Sequence, residues 1–108
     1  MKFLKKYIIK NEIWVFIPAR SGSKSIKHKN LKKINGKSLI YYTLSTAKKI
    51  KSIKKIVFSS DSHNYLNIAS RYAKIEKHLR SKKNSSHSAS DYDVFKEYIA
   101  YKIKKKEN

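Results

Sequence analysis

The chain has 108 residues, and 27 lysines and arginines against seven aspartates and glutamates give a formal charge of +20. That length fits one domain and leaves no room for a second, and a 40% hydrophobic content argues against a wholly disordered basic chain. The absence of cysteine excludes disulfide scaffolds, thiol catalysis and cysteine-ligated zinc.

Residues 1–11 form a basic N-terminal extension, in which lysines interrupt every apolar block before it reaches signal-peptide length. Ile13-Trp14-Val15-Phe16-Ile17 is a β-prone run stopped by Pro18. Apolar at every position, it predicts a strand buried on both faces, as in a parallel sheet. Ala19 to Gly36 is polar and irregular. From Ser38, a candidate N-cap, the apolar residues Leu39, Ile40, Leu44, Ala47 and Ile50 recur at helical spacing. Lys55 to Ser60 predicts a second strand, and Asp61 or Ser62 then caps a helix carrying Tyr65, Leu66, Ile68, Ala69 and Tyr72. A short, exposed third strand is expected within Ala73–Leu79, followed by a Ser-rich loop from Ser81 to Ser90. Asp91 stands where an N-cap belongs, ahead of a helix with the apolar stripe Val94, Phe95, Tyr98, Ile99 and Ile103. The charged tail, placed at 105–108 with fraying from Lys102, closes the chain.

Strands alternating with helices predict an α/β layered domain with a mostly parallel sheet. Ligands in such sheets bind beyond the carboxyl ends of the strands. That edge holds Ala19 to Asn30, where Gly22 permits a close backbone approach, Ser21 and Ser23 add hydroxyls, and Arg20, Lys24 and Lys29 supply positive charge. Backbone amides, small residues and cations are what gripping a triphosphate requires. The segment is neither a Walker A loop nor G-x-G-x-x-G.

Arg20-Ser21-Gly22-Ser23-Lys24, Ile26, Lys29-Asn30 and Gly36-Lys37-Ser38-Leu39-Ile40 together resemble the opening signature of the acylneuraminate cytidylyltransferases, the CMP-sialic acid synthetases. The resemblance continues through Val57-Phe58-Ser59-Ser60-Asp61-Ser62, Leu79-Arg80 and Ser90-Asp91-Tyr92-Asp93, with the matched domain spanning 12–104. Ser38 and Ser81 stand where the family usually has proline, His87 where it has aspartate, and Asp91 where it often has serine.

The resemblance implies a three-layer Rossmann-like nucleotidyltransferase fold, here its N-terminal half, truncated after about three strands. It implies transfer of CMP from CTP to a sialic-acid-like nonulosonic acid, an acidic nine-carbon sugar, with release of pyrophosphate. Arg20 and Lys24 would be the catalytic pair, holding phosphates and stabilising charge at the α-phosphorus. Ser23, Lys29 and Asn30 would complete the phosphate and ribose contacts, and Arg80, Ala89 and Asp91 would meet the cytidine. Mg²⁺ is implied as cofactor, with its ligands outside this chain. The sugar pocket would then come from a partner chain supplying the other half, or from a homodimer.

Other residues have plainer expected roles. Asp61 is expected to cap a helix rather than bind a metal. His28, His63, His78 and His87 lack ligand spacing and are expected at the surface, whereas Trp14 is expected in the core. Tyr41, Tyr42, Tyr98 and Tyr101 are expected to be partly buried, and Asp93 and Glu97 to form a solvated helix face. All but three of the basic residues are lysine and they are scattered, which suits AT-rich codon drift better than a nucleic-acid footprint, where arginine is favoured. A small basic nucleic-acid-binding module is the alternative function, since +20 raises affinity for any polyanion. No apolar run is long enough to span a membrane, and the cytoplasm is the expected location.

Overall fold

The computed structural model describes residues 12–22, 28–86 and 88–107. The basic extension at 1–11 lies outside them. Strand β1 (Ile13–Pro18) leads through a loop and a 3₁₀ turn (Lys29–Leu31) to a two-stranded hairpin, β2 (Lys33–Ile34) and β3 (Lys37–Ser38). Helix α1 (Leu39–Lys49), strand β4 (Ile53–Ser60), helix α2 (His63–Tyr72) and strand β5 (Glu76–Leu79) follow. A second 3₁₀ turn (Lys83–Ser85) precedes helix α3 (Asp91–Glu107).

The main sheet has the order β1-β4-β5, parallel throughout. The β1–β4 register sets Phe16 beside Val57 and Ile17 beside Phe58. Both crossovers step the same way along the sheet, and the right-handed rule then sends α1 and α2 to one face. There Ile40, Leu44 and Ala47 of α1 meet Tyr65, Leu66 and Ala69 of α2 over Ile56 and Phe58 of β4. Helix α3 covers the other face. Its buried Val94 and Tyr98 stand on that side, and the Tyr98 and Phe95 rings pack 5.6 and 5.3 Å from the Phe16 ring. Three layers with a parallel sheet result, as expected.

Several local features follow from single side chains. Ser38 caps α1, its hydroxyl accepting from the Tyr41 amide at 3.2 Å. Ser62, not Asp61, caps α2 by accepting from the Tyr65 amide at 3.2 Å. At α3 the cap is Ser90, not Asp91. Its hydroxyl accepts from the Asp93 amide at 3.1 Å, while the Asp93 carboxylate accepts from the Ser90 amide at 3.0 Å, a reciprocal capping box. The β2–β3 hairpin interrupts a stretch expected to be irregular. Asn35 and Gly36 turn it with φ of 53° and 80°, the geometry for which Asn-Gly is favoured.

Other expectations are corrected. β1 is an edge strand whose Ile13 and Trp14 are exposed and whose remaining residues are only partly buried, with Ile17 on the core side and Phe16 under α3; the central strand is β4, buried from Ile56 to Ser60. Trp14, at the outer end of β1, is 43% exposed rather than core, with Lys55 Nζ 4.5 Å above its ring. Tyr98 is buried, but Tyr42 and Tyr101 are exposed. The stripe on α3 is only partly used: Val94 and Tyr98 are buried and Phe95 packs on Phe16 while staying partly exposed, whereas Ile99 and Ile103 are exposed. The helix also continues to Glu107, through residues expected to fray.

Candidate functional site

The carboxyl ends of β1 and β4 and the residue after β5 open onto a cavity of about 570 Å³. Main-chain pairing runs past the strand ends and fixes its rim: the Ala19 amide donates to Ser59 O at 2.7 Å and the Arg80 amide to Ser60 O at 2.9 Å. Arg20 and Gly22 line the cavity from the loop after β1, Lys29 and Asn30 from the 3₁₀ turn, and Leu39, Ile40 and Thr43 from the start of α1. Arg80, Ala89 and Asp91 line it from the opposite side. Six residues singled out from the sequence, drawn from four segments, therefore share one cavity. Ser23 and Lys24 lie outside the described residues.

The loop after β1 is held by side chains rather than by glycine. Ser21 donates twice to Asp61, amide to Oδ1 at 2.8 Å and hydroxyl to Oδ2 at 2.9 Å. Asn30 donates its side-chain amide to Arg20 O at 3.0 Å, so that group secures the loop. His28, at φ 53°, stands 3.0 Å from the Tyr65 hydroxyl. Gly22 is not at positive φ, and a Cβ there would meet nothing within 4 Å, so its place does not depend on being glycine. Asp61 is thus a loop tether instead of a helix cap. Burial works to raise its carboxyl, but the hydrogen bonds from Ser21 and the nearby Arg80 charge outweigh that and leave it below the usual aspartate value.

Arg80 is the most deeply set cation of the cavity, 8% exposed, with its Nε lacking any partner. Burial pulls its pKa down against the attraction of Asp61 and Asp91, though a guanidinium stays charged. A buried, unpaired N–H beside an open cavity is an unmet donor of the kind a ligand oxygen satisfies.

The wall behind Arg80 was not legible. His78 is buried, not at the surface, with Nδ1 2.8 Å from the Ser59 hydroxyl and Nε2 3.0 Å from Glu97 Oε2. Burial lowers the His78 pKa, and Glu97 only partly opposes this, so at neutral pH a neutral imidazole donates to an ionised carboxylate. Glu97 also accepts from the Ser81 amide at 3.1 Å and from Asn84 Nδ2 at 2.9 Å. Glu97 is therefore not the solvated residue expected, whereas Asp93 stays at the surface while capping the helix. The helical i, i+4 spacing gave no sign of these tertiary partners.

Among the described residues no group of three or more histidines, aspartates or glutamates is arranged to hold a metal. Asp61, the acid beside the loop, is engaged with Ser21. These residues do not fit a metal site, and no step is derived through one.

Residues 14–105 match the family model described as cytidylyltransferase. The chain belongs to the cytidylyltransferase family. It is 43% identical over 76 residues to post-translational flagellin modification protein B of Campylobacter coli, covering 66% of this chain and 32% of that protein. It is 30% identical over 92 residues to an N-acylneuraminate cytidylyltransferase of Escherichia coli O18:K1:H7, covering 85% of this chain and 22% of that enzyme. The chain therefore spans a minor part of these relatives. Among solved structures it resembles CMP:2-keto-3-deoxy-manno-octonic acid synthetase complexed with CTP, with a TM-score of 0.71 at 20% identity over 84% of this chain and 36% of that one. That likeness shows the Rossmann-like nucleotidyltransferase fold. Nothing in these matches supports the nucleic-acid-binding alternative, and among the described residues no helix is long and apolar enough to cross a membrane.

Proposed function

We propose that this chain forms the CTP-binding part of a cytidylyltransferase that transfers CMP to a sialic-acid-like nonulosonic acid. The reading rests above all on one observation: Arg20, Lys29, Asn30, Arg80, Ala89 and Asp91 line a single cavity at the carboxyl ends of parallel strands. Arg20 and Lys29 enter from the β1 side and Arg80 from the β5 side, so a polyphosphate placed between them meets cations on both flanks. In the reaction the anomeric hydroxyl oxygen bonds to the α-phosphorus as the bond to the β-phosphate breaks, and pyrophosphate leaves with that electron pair. Arg20 and Lys24 stabilise the charge that spreads over the phosphate oxygens, which is positioning and electrostatics with no covalent role for the protein. Ser23 donates to a phosphate oxygen. Arg80 brings its guanidinium charge to the nucleotide from the β5 side, with Ala89 and Asp91 beside the cytosine. The Asn30 amide holds Arg20 O, which makes Asn30 a support for the loop as much as a ribose contact.

The names of the relatives, an N-acylneuraminate and an N,N'-diacetyllegionaminic acid enzyme among them, support an acidic nonulosonic acid as acceptor. Mg²⁺ accompanies CTP, with ligands from outside the described residues. The sugar pocket is likewise contributed from outside them.

A titration of the ¹⁵N-labelled chain followed by NMR tests the reading. CTP is expected to shift the amides of Ala19 to Gly22 and of Arg80, with smaller effects from ATP and GTP. Arg20→Ala should abolish the CTP response, and a wild-type chain indifferent to CTP would overturn the proposal.

A further inference from the structure

One carboxylate stands directly behind the loop that forms the far wall of the cavity. Glu97 projects from the second turn of α3 and receives three donors: the Ser81 amide, Asn84 Nδ2 and His78 Nε2. Ser81 follows Arg80 in the chain. Asn84 lies in the 3₁₀ turn Lys83–Ser85, which is closed by Ser81: the Asn84 amide donates to the Ser81 hydroxyl at 3.3 Å and the Ser85 hydroxyl to Ser81 O at 2.7 Å. His78 is two residues before Arg80, and its other nitrogen is fixed by Ser59 on the central strand. Glu97 thus holds the chain on both sides of Arg80, through the Ser81 main-chain amide on one side and the His78 ring on the other. It touches no part of the cavity that bears Arg20 or Lys29, and is set on the side that bears Arg80, Ala89 and Asp91.

We infer that Glu97 is a positioning residue for the nucleoside end of the site, holding the Arg80-to-Asp91 loop in its binding geometry through Ser81, Asn84 and His78. The inference rests on the CTP-binding reading of the cavity. The phosphate end, anchored separately by the Ser21–Asp61 tether, is independent of Glu97.

The geometry also dictates which replacement succeeds. With glutamate, His78 carries its proton on Nε2 and accepts from the Ser59 hydroxyl on Nδ1. A glutamine can set its single oxygen in the place of Oε1, which accepts from Asn84 Nδ2 at 2.9 Å and from the Ser81 amide at 3.3 Å, and turn its NH₂ toward His78 in the place of Oε2. His78 then answers by moving its proton to Nδ1 and donating to Ser59. Alanine offers nothing to any of the three donors, leaving His78 buried with one nitrogen unmet.

The test uses the full chain in three forms, wild type, Glu97→Gln and Glu97→Ala, each titrated with CTP and with inorganic pyrophosphate at constant salt. Amide exchange at Ser81 and the ¹⁵N shifts of the His78 ring are read alongside. Glu97→Ala is expected to weaken CTP by about tenfold, the loss of one good polar anchor, with pyrophosphate affinity unchanged and the Ser81 amide exchanging faster. Glu97→Gln is expected to restore CTP binding and Ser81 protection, with the His78 tautomer switched from Nε2–H to Nδ1–H. Equal losses for CTP and pyrophosphate in Glu97→Ala would mean a general loss of folding and overturn the inference, as would a Glu97→Ala chain that binds CTP normally. Glutamine that fails to rescue would also overturn it. A wild-type chain that binds pyrophosphate but shows no preference for CTP removes the function reading itself, and the inference with it.

Discussion

Removing the Asp61 carboxylate should unfasten the loop that carries Arg20. Both Ser21 donors end on this one side chain, at 2.8 and 2.9 Å. A hydrogen bond onto an ionised acceptor contributes about 1.5–3 kcal/mol. Asp61 is only half-buried, so the lower figure applies to each bond, about 3 kcal/mol together. If that energy selects the ordered loop, Asp61→Ala lowers the ordered population, and with it CTP affinity, by on the order of a hundredfold. One effect opposes this: the carboxylate also attracts Arg80, and its loss makes the cavity more positive toward an anion. Asp61→Asn separates the two. Its oxygen can take the Ser21 amide and its NH₂ can face the Ser21 hydroxyl, so the tether survives while the charge goes. Calorimetric titration with CTP should therefore rank Asn at or near wild type and Ala far below, with circular dichroism confirming that both are folded. An alanine variant that binds CTP as tightly as wild type would refute the tether, and one that binds it more tightly would leave Asp61 only a repulsive influence on the nucleotide.

Two more predictions concern the fold. Leu44 is fully buried where α1 meets α2 and lines no part of the cavity, so Leu44→Ala should cost about 2–5 kcal/mol in urea unfolding, with CTP affinity unchanged for the molecules that remain folded. Acid should destabilise the chain in two stages. His78 is held below its ordinary 6.5 by burial, so the unfolded chain takes up that proton first. Its share of stability is complete above pH 6.5 and is lost as pH falls toward the folded value. Glu76 and Glu97 lie below their ordinary 4.5, because hydrogen bonds outweigh the effect of burial. Their share is present above pH 4.5 and lost below it. Melting temperature against pH should show both declines, and His78→Asn should remove the first alone.

The order of elements was legible because Ile13–Ile17, Ile56–Phe58 and the two apolar periodicities carry their own spacing. The cavity was legible for a different reason: its residues sit in a contiguous motif after a strand, and parallel topology sends such loops to a common edge. What was illegible is what chain distance hides. Burial of β1 was misjudged because an all-apolar run says nothing about whether a strand is central or at an edge. The expectation of Trp14 in the core rests on hydrophobicity alone, which is a one-way rule. His78 and Glu97 are 19 residues apart in sequence, and His78 and Ser59 another 19; only the β4–β5 register and the docking of α3 bring them together. The α3 cap is Ser90 where the sequence points to Asp91, because Ser90-Asp91 offers two plausible starts one residue apart, and only the reciprocal bonds with Asp93 decide between them.

The scarcity of acids gives the +20 charge a different meaning from lysine drift alone. There are only seven carboxylates, and most are engaged internally: Glu12 with Trp14, Asp61 with Ser21, Glu76 with Tyr98, Lys55 and Lys102, Asp93 with Ser90, and Glu97 with His78, Ser81 and Asn84. Among the described residues the ion pairs are confined to Glu76 and Glu97, and none includes Arg20, Lys29 or Arg80. The cavity cations are left unpaired because nearly every available anion is holding a loop or a helix in place. An anionic ligand then has no internal salt bridge to displace on entering. The same shortage leaves lysines all over the surface to attract polyanions weakly, so ionic strength separates the two kinds of binding: contacts with exposed lysines are screened by salt within a Debye length of about 8–10 Å, whereas the contact with the buried Arg80 is screened far less.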